Sequence, residues 1–444
     1  MLVPTARSVA ATVIARVLTD RAFASAALDA ELGRAVQLEP RDRALATELV
    51  YGALRLLPWL EARIDRHAKR GVDTLDPVVR AHLDVAAYQI FVLTRVPAFA
   101  AVNEAVSAVR AARGAKVAGF ANAVLRRLAA EPRPGAGELA RAAFESTDAS
   151  LRESIVRAIG EGAAFALLGA LEGAPPTGLR VEAAAERGAW LARLREARPS
   201  ASFEPGRVSP HAVLARGAGK VIELPGYEEG VWTAQEEGSQ LVALALGARP
   251  GDVVLDACAG RGNKTGLLAR AVGPGGAVDA SDVHPKKLDR LTRELERIHC
   301  RPRSTFAVDW SLGAGAAEGL RYDRVLVDAP CSGTGTLRRR PELALRRSKD
   351  DVGELARLQR AILARAATLL DPGGRLVYAV CSVLREEAED VLEGAGALGL
   401  EPAPFDAEAA VSVAGEGATS LRLLPHEHGT DGYFVASLRR IQPA

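Results

Sequence analysis

Two cysteines stand where packing alone gives little reason for sulfur. Cys331 ends the run Tyr322-Asp-Arg-Val-Leu-Val-Asp-Ala-Pro-Cys331 and leads into Ser-Gly-Thr-Gly-Thr-Leu-Arg338; Cys381 ends Gly374-Arg-Leu-Val-Tyr-Ala-Val-Cys381, just before Ser382. A single cysteine is usually a small buried hydrophobe, and that reading is kept for Cys300 and mostly for Cys258. At 331 and 381 each thiol closes an apolar run beside Pro, Ser or Gly, which opens it to nucleophilic chemistry. An unperturbed thiol is only a few per cent thiolate at neutral pH, so a nucleophile needs a cationic or hydrogen-bonding neighbourhood. Lys264 and nearby backbone amides could supply one. No Cys-x-x-Cys or paired histidine accompanies these cysteines, so no metal site is expected. His284, His299, His426 and His428 show no ligand spacing.

A second cluster follows Pro250-Gly251 and the apolar run Asp252 to Ala257. It reads Cys258, Ala259, Gly260, Arg261, Gly262, Asn263, Lys264, Thr265 and continues as a helical pattern. Glycines at 260 and 262 let the backbone turn sharply and approach a ligand at a helix N-terminus. Asn263 stands where a phosphate-binding Walker loop needs glycine, and Thr265 where the dinucleotide fingerprint needs its third. What remains is a glycine turn with an acid, Asp282, about 22 residues on, where a carboxylate can accept both hydroxyls of a ribose. A nucleoside-containing cofactor is the expectation. Asp256, Asp282, Asp309 and Asp328 all end successive predicted strands, along the edge where open α/β sheets bind ligands.

These residues need a sheet to hold them. From Gly247 onward, apolar runs (252–256, 277–280, 322–328, 375–380) alternate with helical segments, and a long helix from about Asp350 to Leu370 is stopped by Asp371-Pro-Gly-Gly374. That order predicts an α/β domain with a parallel, doubly wound sheet. If the strands ending at Asp328 and Val380 are neighbours, about 4.8 Å apart, both thiols and Asp328 face one crevice. Upstream, Val9, Val13, Val17 and Leu18, and later Leu83, Ala87, Ile90 and Phe91, recur at one-face helical spacing. Pro40, Pro58, Pro77 and Pro97 divide this stretch into four or five helices, and Glu131-Pro-Arg-Pro-Gly-Ala-Gly137 reads as a linker. The predicted organisation is an all-α domain over 1–135, a small mixed α/β region over 140–235, with apolar runs at Leu179 to Val181 and Val221 to Leu224, and the catalytic domain over 236–444.

With 444 residues, 48% hydrophobic and 25% charged, the chain has the composition of an ordinary folded protein rather than a disordered one. Val85 to Thr94 is only half the length of a spanning helix and is flanked by Asp84 and Arg95, so no membrane segment is expected. Four unclustered cysteines and an N-terminus punctuated by Arg16, Asp20 and Arg21 suggest a cytoplasmic protein without a signal peptide. The net charge of +2 hides an excess of +6 over residues 1–133, which suits a polyanionic partner. Arginine also outnumbers lysine 50 to 7, so coding bias is a competing explanation.

The motifs together resemble the RsmB/Sun (Fmu) group of S-adenosylmethionine-dependent RNA cytosine-C5 methyltransferases, over nearly the whole length. Asp328-Ala-Pro-Cys-Ser-Gly-Thr-Gly335 matches the catalytic motif, and Tyr378-Ala-Val-Cys-Ser382 resembles the second, usually Thr-Cys-Ser, with Val380 replacing threonine. The resemblance implies that Cys381 attacks the base, that Cys331 assists product release, and that Asp328 lies between cofactor and base. It implies S-adenosylmethionine held by Cys258 to Lys264, Asp282 (ribose), Asp309 (adenine) and Asp328. The usual loop is Cys-Ala-Ala-Pro-Gly-Gly-Lys, from which Gly260, Arg261 and Asn263 depart. Gln235 to Gln240 and Gly429 to Phe434 resemble the segments that open and close that domain. Val102 to Val106 and Gly119 to Arg126 look like the end of a NusB-type helical RNA-binding domain, which implies a Rossmann-like methyltransferase domain behind an all-α NusB-like one. Small-subunit ribosomal RNA is the implied partner. Arg338, Arg339 and Arg340 are candidate phosphate contacts, and a monomer is the default oligomeric state.

Overall fold

The computed structural model describes residues 4–171, 175–347 and 349–442. Its contacts divide into two compact units: residues 4–171, 175 and 337–347 form the first, and the remaining described residues form the second.

The first unit is helical. Up to Ala129 it holds six helices rather than four or five: Ala6–Thr19, Ala24–Arg34, Pro40–Arg55, Leu57–Asp65, Pro77–Phe91 and Ala98–Ala129. The prolines do mark helix starts, where a missing N–H costs nothing, but the break after Thr19 carries none and so was invisible to that criterion. Asp76 caps the fifth helix by accepting from the Val78 and Val79 amides. The sixth bends at Gly114, whose φ of 84° suits a residue without Cβ. The one-face residues Val9, Val13, Val17, Leu83, Ala87, Ile90 and Phe91 are all buried in one core. Beyond the Pro/Gly stretch, helices Ala136–Glu145, Ala149–Ile159 and Glu161–Leu168 follow within the same unit. Leu139, Ala142 and Ala143 join its core. The helical patterns at Ser150 to Ile159 and Ala163 to Leu171 thus form helices, and these group with the helical unit.

The second unit contains two sheets. A small antiparallel one has the order β2-β3-β1-β4, from β1 (Thr177–Val181), β2 (Ser202–Pro205), β3 (Ala212–Arg216) and β4 (Trp232–Ala234). Leu179, Val181, Phe203, Val213 and Trp232 form its core with Leu194 of the helix Arg187–Ala197. The run at Val221 is a single 3-10 turn, not a strand.

The large sheet is built on β5 (Val253–Asp256), β6 (Ala277–Asp282), β7 (Ser304–Ala307), β8 (Tyr322–Asp328) and β9 (Leu370–Val380), all parallel, in the order β9-β8-β5-β6-β7. Strand order reverses between β8 and β5, the switch point where such sheets open a crevice. The expected all-parallel sheet is corrected at one edge. There β12 (Tyr433–Arg440) runs antiparallel to β9 and pairs with β10 (Leu400–Pro402) and β11 (Ser420–Leu423). Side chains alternate between two cores: Val325, Val327, Leu376 and Tyr378 face one, Leu326, Val377 and Ala379 the other. Among the described residues no helix is long and apolar enough to cross a membrane.

Residues 337–347 leave the second unit's chain just after the Cys331 turn and are built into the helical unit. Arg338 offers its carbonyl to Arg55 at 2.7 Å, fully buried Glu342 accepts from the Ala24 amide, and Arg340 lies over the Phe23 ring. Arg346 donates to the carbonyls of Val17, Arg21 and Ala22, where the first helix ends. Helix C-termini leave carbonyls without partners, and a cation there also meets the helix dipole. Arg346→Ala should therefore destabilise the helical unit by about 1–3 kcal/mol, read as a lower denaturation midpoint. An unchanged midpoint would show that these bonds add nothing net.

Candidate functional site

The C-terminal ends of β5, β6, β8 and β9 carry the chemistry-bearing residues. Asp328 ends β8 opposite Ala379 of β9, and the Ala329 amide donates to the Ala379 carbonyl at 2.9 Å. From this register the two chains diverge into turns whose sulfurs meet again, with Cys331 Sγ and Cys381 Sγ 3.2 Å apart. Both are half-buried. The hydrogen bond with Cys381, reinforced by burial, pushes the Cys331 thiol well above the usual thiol range.

Lys264 Nζ donates to Asp328 Oδ2 at 2.6 Å. Burial opposes the lysine's charge, but Asp328 outweighs it with help from Asp256, and the ammonium is held above its ordinary range. Cys381 is among the groups that act on it electrostatically.

Behind the turns lies a buried polar network that the sequence reading missed. Glu387, fully buried, accepts from the Ser332 amide at 2.8 Å and from its hydroxyl. Gln359 donates to Glu387 at 3.1 Å and to the Pro330 carbonyl at 2.9 Å. Thr334 and Ser382 exchange a bond at 2.9 Å, and their oxygens accept from the Val383 and Leu384 amides. Neighbours of Cys331 are thus tied to neighbours of Cys381 through groups that water cannot reach, where an unmade bond is costly. Glu387 and Gln359 lie in ordinary helical or turn sequence, so no local signal marked them.

Gly335 closes the arrangement. Its amide donates to the Cys381 carbonyl at 3.0 Å, and its carbonyl accepts from the Gly432 amide at 2.8 Å. A Cβ here would fall 2.8 Å from the Gly432 Cα and closer still to its carbonyl. Backbone on both sides leaves nothing soft to yield.

On the β5–β6 side, Gly260 and Gly262 have φ of 58° and 86°, and the helix Asn263–Val272 starts directly after them. The space beside Gly260 where a Cβ would sit is open. The Asp282 carboxylate accepts from the Gly260 amide at 3.2 Å and the His284 amide at 2.8 Å, with Lys287 at 3.3 Å. Two oxygens with about four acceptor positions leave room for a ligand hydroxyl. Asp256 is fully buried: one oxygen accepts from Thr265 at 2.7 Å, the other has no protein partner. Cys258 and Ala259 continue the turn. Burial, then the Asp328, Asp256 and Asp282 carboxylates, raise the Cys258 thiol out of the reactive range. Arg261 is exposed, and so is Asp309, whose carboxylate accepts from the Ser311 amide and hydroxyl. Among the described residues no group of three or more potential ligands is placed to hold a metal. A cavity of about 670 Å³ on the same unit is lined by Arg187, Leu244, Arg249 and Asp406, and none of the residues above lines it.

A switch-point sheet edge with a glycine turn, strand-end carboxylates and two thiols beside an acid is the arrangement of a Rossmann-like methyltransferase. Residues 243–439 match the model of the 16S rRNA methyltransferase RsmB/F family, and residues 4–130 that of the NusB family. The chain is 33% identical to ribosomal RNA small subunit methyltransferase B of Pseudomonas putida, over 98% of both chains. It is 35% identical to the protein of that name from Xylella fastidiosa, over 96% of this chain and 99% of the other. In fold it is similar to PH0851, with a TM-score of 0.82 at 23% identity over 99% of this chain and 100% of that one. It also resembles NSun6 from Pyrococcus horikoshii, with a TM-score of 0.59 at 20% identity over 68% of this chain and 100% of that one. The chain belongs to the RsmB/F family of rRNA methyltransferases, with an N-terminal NusB domain, and its methyl donor is S-adenosylmethionine. The glycine turn, the open space at Gly260, the unpartnered Asp256 oxygen and the spare capacity of Asp282 fit that donor.

Two outcomes are expected. Gly335→Ala should lower methyl transfer by about 10²-fold, since displacements near 1 Å in a reacting geometry cost that much; wild-type rates would show that the two turns are not rigidly coupled. Burial moves the Asp256 carboxyl up to about 6, against opposition from Thr265 and Lys264. The fold therefore binds its proton more tightly than the unfolded chain does. That contribution is complete below about pH 4 and lost as pH rises through 6. Asp256→Asn should gain in denaturation midpoint relative to wild type between pH 4 and 6.5 and track it above 7; a pH-independent difference would contradict the assignment.

Proposed function

We propose that the chain methylates carbon 5 of a cytosine in small-subunit ribosomal RNA, with Cys381 adding covalently to carbon 6. Carbon 5 is too weak a nucleophile to take a methyl group unaided. Attack by the Cys381 thiolate forms a C6–S bond and moves the C5–C6 electron pair to carbon 5, which can then attack. Bound S-adenosylmethionine supplies the electrophilic sulfonium methyl. Loss of the carbon-5 proton returns the pair and breaks the C6–S bond.

Asp328 hydrogen-bonds the pyrimidine edge and stabilises the covalent intermediate. Lys264 holds Asp328 in place and offers a cation that couples electrostatically to the Cys381 sulfur. Cys331, kept protonated, assists departure of Cys381. Cys258 to Lys264 hold the amino-acid end of the cofactor, Asp282 the ribose and Asp309 the adenine. The base must leave its stack to expose carbon 6 to the thiol, which is cheapest in a single-stranded loop. The basic N-terminal domain contributes phosphate contacts, and the protein acts in the cytoplasm.

The observation that carries this reading is the 3.2 Å approach of Cys381 and Cys331 beside the Lys264–Asp328 pair. Cys381→Ala should reduce transfer of labelled methyl to small-subunit RNA by roughly 10³-fold or more. Cys331→Ala should instead accumulate an RNA–protein adduct that survives a denaturing gel. Full activity in Cys381→Ala would end the nucleophile assignment, and bisulfite mapping of the product tests the target atom.

A further inference from the structure

Arg180, on β1 of the small sheet, is 0% exposed. A buried arginine costs several kcal/mol unless its donors are met, and here they are met by residues flanking the small sheet and by the start of the helix that follows the glycine turn. Nε and Nη2 donate to Glu182 Oε1 at 3.2 and 2.6 Å, and Nη1 donates to Gln235 Oε1 at 2.6 Å. Nη1 also donates to the carbonyl of Asn263, the first residue of the helix that follows Gly260-Arg261-Gly262. Asn263 in turn donates its side-chain amide to the Ala234 carbonyl of β4. Glu182 accepts with its other oxygen from Arg270, two turns along the same helix. Gly266 passes so close that a Cβ there would lie 3.0 Å from Arg180 Nη2.

Two consequences follow. The first turn of the helix is pinned from beneath, so the amides of the glycine turn are held in one place. Arg180 also places a guanidinium beneath the helix N-terminus, where a cation adds to the dipole; Glu182 offsets part of its charge, and Arg270 lies in the helix's last turn. The only anionic group of S-adenosylmethionine is its α-carboxylate, and a helix N-terminus is where such a group docks. We infer that Arg180 is a positioning residue for the amino-acid end of the cofactor, acting through the Asn263 carbonyl from outside the binding pocket. This rests on assigning the Gly260 to Lys264 turn to the cofactor.

The test is calorimetric titration of the full-length protein with two ligands. S-adenosylhomocysteine carries the α-carboxylate; 5′-methylthioadenosine has the same nucleoside and thioether without it. In Arg180→Gln, affinity for the first should fall about 10-fold, as expected for losing a buried, charge-assisted contact, while affinity for the second stays within about twofold of wild type. Arg180→Lys keeps the charge but not the fork, and should show a smaller loss confined to the same ligand; it carries the test if the glutamine variant does not fold. Equal weakening of both ligands would reduce Arg180 to a general scaffold and overturn the proposal, as would unchanged binding of S-adenosylhomocysteine. Wild-type protein that binds neither ligand would instead remove the cofactor assignment itself.

Discussion

The candidate site depends on one strand pairing, the register of β8 on β9. With Asp328 opposite Ala379, the chain has three residues on one side and two on the other in which to bring Cys331 and Cys381 together. A slip by one residue would send every side chain of one strand to the opposite face. The two apolar cores prevent it, because Val325, Val327, Leu376 and Tyr378 must share one side of the sheet and Leu326, Val377 and Ala379 the other. Packing far from the sulfurs thereby fixes the distance between them. The Ser332, Glu387, Gln359, Thr334 and Ser382 network fixes the remaining freedom of the two turns, and it does so with directional bonds.

The electrostatics are arranged around that geometry in two layers. Lys264 and Asp328 form an ion pair that is partly open to the crevice, so either partner can exchange its bond for one to a ligand. Deeper down, Asp256 and Thr265 keep a polar floor beneath the glycine turn, and the arginine–glutamate cluster of the small sheet supports the helix that starts there. On the reading proposed above, the small sheet is part of the cofactor apparatus, although it contributes none of the strand-end acids.

Much of this was legible from residue type and position. Strand-end acids, a glycine turn and two cysteines closing apolar runs announce themselves locally, because the chemistry requires those residue types where strands stop. The antiparallel edge was harder to see, since β10 and β11 are only three and four residues long and β12 is apolar on both faces, without the alternation that signals a half-exposed strand. Arg180, Glu387 and Gln359 were illegible for a different reason. A charged residue in a short strand or an amide within a long amphipathic helix normally faces solvent, and only tertiary contact shows that these three are buried. The segment 136–168 was legible in part as helix but its neighbour was not, because a Pro/Gly stretch looks the same whether it joins two domains or two helices of one.

Because residues 337–347 belong to the helical unit, the chain passes between the two units more than once. The two family matches, 4–130 and 243–439, invite cutting the gene between them, yet any such cut would deprive Glu342 and Arg346 of the backbone groups they serve. A catalytic fragment expressed alone would carry a partly apolar loop, without its partners, a few residues downstream of Cys331. Exchange of the N-terminal part for another would accordingly have to carry this short loop with it to keep those bonds.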